Sequence, residues 1–253
     1  MCLISFAWQM RRDLPLLVAA NRDEFHARPT AAAHFWPDAD AVFAGRDLSA
    51  GGTWLGMGPG GRFAAITNIR DPDSTTSGRR SRGELTLDFL RGRSAAETYL
   101  DALAGRIASY QGFNLIIGDG DSLWYLHGVA GSLPQRLGPG IYGLSNAALD
   151  VPWPKLCRAR ERLQDLVAMP EAPTAEALLA CVSDRSLAPR EELAKFGDTM
   201  LRELSAQFIV TERYGTRSQT SLRNFADGRR EFMEVRFDSA GRESGRSAVC
   251  TLG

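Results

Sequence analysis

Cysteine stands at position 2, behind a methionine that so small a following residue allows to be removed. A cysteine uncovered in this way carries a thiol nucleophile and its own α-amine side by side. An α-amine titrates near about 7.7–8.0, so it can take the thiol proton with no histidine required. The thiolate is the reactive form, and a nearby arginine enriches it. An early cysteine is also commonly a small buried hydrophobe, so its company decides between the two. That company is Asn21-Arg22-Asp23-Glu24, four polar residues directly after the apolar run Leu16 to Ala20. A first apolar run, Cys2 to Trp8, and the polar stretch Met10 to Asp13 complete the pattern of a β-hairpin. The hairpin returns the polar cluster to the neighbourhood of Cys2. Neighbours along a strand point to opposite faces, so either Arg22 with Glu24 or Asn21 with Asp23 faces the site.

Other elements must frame that hairpin. Residues 45–61 are rich in glycine and read as tight turns, with Trp54 and Met57 as a candidate wall for an apolar ligand. Phe63 to Ile69 reads as a strand with Asn68 near its end, and Asp71 to Arg82 as a loop. Ser94 and Glu97 have capping-box spacing ahead of a helical apolar stripe through Leu100 and Leu103. Phe113 to Gly118 and Ser122 to His127 flank Asp119-Gly120-Asp121, a hairpin signal. Pro154 suits the first turn of a helix carrying Leu156, Leu163, Leu166 and Val167, and Thr174 suits an N-cap. Gln207 to Thr211, Thr216 to Arg223, Phe232 to Phe237 and Ser247 to Leu252 read as strands. Strands at both ends with helices between them predict one mixed domain whose termini share a sheet, with helices outside.

Composition narrows the function. Of 253 residues 44% are hydrophobic and 24% charged, which is ordinary for a globular chain. Zero formal net charge gives no long-range attraction to nucleic acid or an anionic membrane. Only Lys155 and Lys195 are lysines among the 30 basic residues, which reads as a base-composition bias rather than a phosphate site. Cys2, Cys157, Cys181 and Cys250 form no CxxC pair, so neither a zinc site nor a disulfide framework is expected. His26, His34 and His127 are scattered, and no metal or cofactor is expected. No stretch is long enough to span a bilayer and no secretory leader is evident, so the expected location is cytoplasmic.

Met-Cys-Leu-Ile at the start, Ala-Asn-Arg-Asp-Glu-Phe at 20–25, Gly-Gly-Thr-Trp-Leu-Gly at 51–56 and Tyr-Gly-Thr-Arg-Ser at 214–218 resemble, in order, the NRDE family. This is the family of transport and Golgi organisation protein 2. The resemblance implies an α+β fold, a four-layer αββα sandwich of the N-terminal nucleophile hydrolase type, as a single domain over 1–253. It extends more distantly to cysteine hydrolases of penicillin V, conjugated bile acids and ceramide, whose site positions correspond here to Cys2, Arg22, Asp23, Asn68, Asn146 and Arg217. In those roles Cys2 attacks a carbonyl, Asp23 orients the α-ammonium and Arg22 favours the thiolate. Asn68 and Asn146 donate to the oxyanion, and Arg217 holds a carboxylate. The hydrolases space their Arg and Asp apart, whereas Arg22 and Asp23 are adjacent.

The implied function is an amidohydrolase-like protein acting on a linear amide with an apolar acyl part. The alternative is a non-catalytic binding or trafficking protein for acyl-coenzyme A, lipid or haem, with Asn21, Glu24 and Trp54 as ligand contacts. A small-molecule substrate or apolar ligand and a possible homodimer are the partners expected.

Overall fold

The computed structural model describes residues 2–69, 80–196 and 202–252. Thirteen strands are present among them: β1 (Leu3–Trp8), β2 (Leu16–Phe25), β3 (Thr30–Trp36), β4 (Ala39–Asp47), β5 (Leu55–Met57), β6 (Phe63–Asn68), β7 (Phe113–Gly118), β8 (Leu123–Gly128), β9 (Gln135–Arg136), β10 (Gly140–Leu144), β11 (Tyr214–Asn224), β12 (Arg229–Phe237) and β13 (Glu243–Leu252). The α-helices are α1 (Gly83–Arg91), α2 (Ala96–Ala104), α3 (Pro154–Ala168), α4 (Ala175–Ala180) and α5 (Arg190–Leu193). The chain divides into two compact units, one within 1–27, 139–145 and 150–251, the other within 28–138, 146–149 and 252–253.

The first unit holds a six-stranded sheet in the order β10-β1-β2-β11-β12-β13. Both ends of the chain therefore lie in one sheet, as the terminal strand patterns predicted. Every residue of β1 is buried, which suits a continuous apolar run in a central strand. The outer strand β13 alternates exposed and half-buried positions and carries Glu243 and Arg246, a charged edge that discourages further pairing. Helix α3 begins with Pro154, whose fixed φ suits a first turn. It buries Leu156, Ala159 and Leu163 in a core shared with Leu3, Ala7, Leu17 and Ala19. Gly143 on β10 allows this close seat, because a Cβ there would lie 2.7 Å from Leu156 Cγ. Thr174 caps α4 as expected, its Oγ1 accepting from the Ala177 N–H at 3.1 Å.

The second unit is a seven-stranded antiparallel sheet in the order β3-β4-β5-β6-β7-β8-β9. Helices α1 and α2 close its core through Leu85, Phe89, Leu90, Leu100 and Leu103 against Phe113, Leu115 and Ile117. The hairpin around Asp119-Gly120-Asp121 forms as predicted, and Gly120 adopts φ +98° at its turn.

Several elements differ from the sequence reading. Strands β3 and β4 were not anticipated, because their bulged pairing breaks the alternation. Ser94 does not cap α2; the helix is entered at Ala95, and the Ala96 N–H donates to Asp119 Oδ2 at 2.9 Å. Gln207 to Thr211 is not a strand beyond one bridge, Val210 to Gly215. Two of its backbone groups go to side chains instead, the Gln207 carbonyl accepting from Asn21 and the Ile209 N–H donating to Thr216 Oγ1. The Phe208 N–H donates to the Asp184 carbonyl outside any sheet. The loop expected over Asp71 to Arg82 lies mostly outside the described residues.

Candidate active site

The site starts from the register of β1 on β2. Leu3 pairs with Asn21 and Ile4 with Ala20, so one further residue brings Cys2 opposite Arg22. On its other side β2 pairs with β11, where Asp23 faces Thr216 and Arg22 faces Ser218. Arg217 is the extra residue of a bulge between these two pairs, which bends the strand and re-aims its side chains. Arg217 Nη1 donates to the carbonyls of Phe25 and His26 at 2.9 and 3.0 Å. It thereby ties β11 to the segment leaving β2.

Alternation along β2 sorts the polar cluster. Leu17 and Ala19 belong to the core under α3 and α4, and Asn21 and Asp23 continue that phase. Asn21 is buried, and its amide nitrogen donates to the carbonyls of Val182 and Gln207, both at 2.7 Å. Its carbonyl oxygen accepts from Gln219 Nε2 at 3.0 Å. Asn21 thus welds β2 and β11 to the segments bearing Val182 and Gln207. Asp23 is also buried; its Oδ1 accepts from Thr216 Oγ1 at 2.7 Å, and its carbonyl from Tyr214 Oη at 2.8 Å. Glu24 is half-buried and accepts from the Phe25 N–H at 2.8 Å.

Cys2 is partly exposed as a residue, and its carbonyl accepts from Ser145 Oγ at 2.8 Å. Its sulfur is desolvated. Burial pushes the thiol up and the Asp23 carboxylate adds to this, while the Asp23 backbone N–H and the Arg22 guanidinium pull the other way. Burial likewise pushes the Asp23 carboxyl up, opposed by Lys155, the Thr216 hydroxyl and Arg22. Arg22 lies within electrostatic reach of both Cys2 and Asp23 although it is adjacent to the latter in a strand. Adjacency therefore does not prevent the two from acting on one thiol.

Lys155 was not anticipated as a site residue. It is wholly buried at the second position of α3, and its charge is coupled to Asp23 and Cys2. Burial pushes its ammonium down while those two groups pull it up. The one available signal is that Lys155 is one of only two lysines among 30 basic residues. In this first unit the structure thus brings together Cys2, Arg22, Asp23, Thr216 and Lys155. Asn21, Glu24 and Arg217 lie in the same unit but are engaged by structural hydrogen bonds, whereas Asn68, Asn146 and Trp54 lie in the second unit. There Asn146 is buried and its Nδ2 donates to the Asn68 carbonyl at 2.7 Å, leaving the Asn68 side chain exposed at the end of β6. Trp54 is half-buried against the core of that unit.

No helix among the described residues is long and apolar enough to cross a membrane. In fold, the chain is similar to an N-acylethanolamine-hydrolyzing acid amidase ortholog of Caenorhabditis elegans, with a TM-score of 0.51 at 10% identity. The likeness covers 87% of this chain and 92% of that one. The fold class is therefore the expected α+β class of the N-terminal nucleophile hydrolases. In sequence the chain is 35% identical over 255 residues to the Transport and Golgi organization protein 2 homolog of Bos taurus, and 34% identical to that of Homo sapiens, covering 92% of each chain in both cases. The Drosophila melanogaster Transport and Golgi organization protein 2 is 24% identical over 258 residues. The model of the Transport and Golgi organisation 2 family matches residues 1–239, and the chain belongs to that family.

Proposed function

We propose that this protein is an N-terminal cysteine amidohydrolase that cleaves a linear amide with an apolar acyl part. The observation that carries the proposal is the meeting of Cys2 with Arg22 and Asp23 at the start of the central strand pair, in a fold shared with an amidase. Cys2 Sγ attacks the carbonyl carbon, and the α-amine exposed by loss of Met1 takes the thiol proton and returns it to the leaving nitrogen. Asp23, fixed by Thr216, orients the ammonium form of that amine. Arg22 offsets the negative charge beside the sulfur. Water then hydrolyses the thioester and restores the thiol.

One observation favours a second reading, a binding or transport protein on the same fold. The thiol of Cys2 is pushed toward its protonated form, which is the inert form. Intact-mass spectrometry of the purified protein, followed by incubation with a panel of N-acyl amides, separates the two. The hydrolase reading expects Met1 absent and an acyl adduct on Cys2 that Cys2→Ala abolishes. Retained Met1 in protein that turns over amides ends the free-amine mechanism. Tight binding of an acyl ligand by Cys2→Ala with no turnover by wild type favours the binding reading.

A further inference from the structure

A fully buried lysine demands an account. Lys155 is 0% exposed, and its Nζ makes no hydrogen bond among the described residues. It sits one position after Pro154 in the first turn of α3, where the positive end of the helix dipole disfavours a cation. A buried charge in such a place is costly unless another charge balances it. Arginine, abundant in this chain, stays ionised in almost any setting, whereas lysine exchanges its proton when buried.

The surroundings identify the balancing groups. Of the elements packed on α3, β1 presents no charged side chain, β10 only the Tyr142 phenol and α4 only Glu176. Strand β2, which shares the α3 core through Leu17 and Ala19, brings Arg22, Asp23 and Glu24. The Gln207 segment meets the Lys155 carbonyl with a neutral amide. The arginines of α3 itself pair elsewhere, Arg158 and Arg162 with Asp184 and Arg160 with Asp150. Cys2 and Asp23 are the groups whose charges couple to Nζ, with Arg22 acting on both of them.

Resting on the reading of Cys2 as nucleophile, we propose that Lys155 is a positioning residue whose ammonium is the counter-ion of the Cys2 thiolate. The α-amine relays the proton released by the thiol to the Asp23–Lys155 pair, and recovers it for the leaving nitrogen. At rest that pair shares one proton and the thiol holds a second. When the S–H bond breaks, its proton joins the pair, leaving Asp23 a neutral acid and Lys155 an ammonium. The thiolate and ammonium then cancel, so no net charge builds up in a desolvated cluster.

The test is a pH titration of the ultraviolet thiolate absorbance of Cys2, taken as the difference between each protein and its Cys2→Ser counterpart, with the N-terminus defined by mass. Lys155→Met is expected to raise the thiolate midpoint by about 1 pH unit or more, and Lys155→Arg to keep it at or below that of wild type. A folded Lys155→Met with the wild-type midpoint overturns the proposal. If that variant does not fold, Asp23→Asn is compared with Asp23→Asn/Lys155→Met, where the same rise supports the proposal and its absence overturns it. This readout needs no turnover. A midpoint shift without amidase activity defeats the hydrolase reading alone, and activity without a shift defeats the role of Lys155 alone.

Discussion

Thr216 Oγ1 donates to Asp23 Oδ1 at 2.7 Å while accepting the Ile209 N–H at 2.9 Å, so one hydroxyl joins the candidate site to the irregular segment before β11. Thr216→Val keeps the shape but removes both bonds, leaving a buried N–H and a buried carboxylate each short of a partner. The expected cost is about 2–4 kcal/mol, read as a fall in the urea midpoint. Thr216→Ser is expected to recover most of it. Equal stability of the Val variant and wild type defeats this account.

Asp23 also gives a signed pH dependence. Burial is the main cause that raises its folded carboxyl above the ordinary value, so the native state holds this proton more tightly than the unfolded chain. Its contribution is fully present below the unfolded pKa, near about 3.9, and is lost as pH rises through the folded value. Asp23→Asn keeps an acceptor for Thr216 and carries no such loss. The stability of Asp23→Asn relative to wild type is therefore expected to grow as pH rises from 4 toward neutrality, in denaturant titrations at each pH. A constant difference across that range contradicts it.

The limits of legibility follow from the same contacts. The hairpin of β1 and β2, α3 with its proline, and the Thr174 cap were readable because local periodicity and turn chemistry set them. The α2 cap was not, since Asp119 supplies it from a remote turn. Gln207 reads as a strand residue because its apolar neighbours mimic a strand, whereas its carbonyl is claimed by a side chain distant in sequence, that of Asn21. Within the site, the nearness of Asp23 to Cys2 was expected from the hairpin. Lys155 became a neighbour only through the docking of α3, which no spacing in the chain records.

Asn21 separates a ligand contact from a structural weld. Its side chain already serves Val182, Gln207 and Gln219. Asn21→Leu leaves the buried Gln207 carbonyl without its donor. It also removes one bond each from the Val182 carbonyl and the Gln219 amide, which still meet each other. A loss of about 1–3 kcal/mol is therefore expected in chemical denaturation. If instead the variant keeps full stability and loses only ligand affinity, the polar-contact role holds and the weld does not.

Gly51 and Gly52 open the Gly-Gly-Thr-Trp motif, and the structure gives them different reasons to be glycine. Gly51 has φ +78° with open space where a Cβ would go, so its constraint is backbone conformation alone. Gly52 has no positive φ, but a Cβ there would lie 2.4 Å from the Gly83 carbonyl carbon and 2.5 Å from its oxygen. That contact seats the start of α1 beside the following residue, where the Thr53 N–H donates to the Gly83 carbonyl at 3.2 Å. Asparagine tolerates the left-handed region, so Gly51→Asn is expected to lower the thermal midpoint little. Gly52→Asn meets backbone that cannot swing aside, and overpacking of this kind costs about 1–3 kcal/mol or more. Thermal unfolding of the two variants side by side checks the assignment. A reversed order of midpoints would show that conformation, not close approach, governs the second glycine.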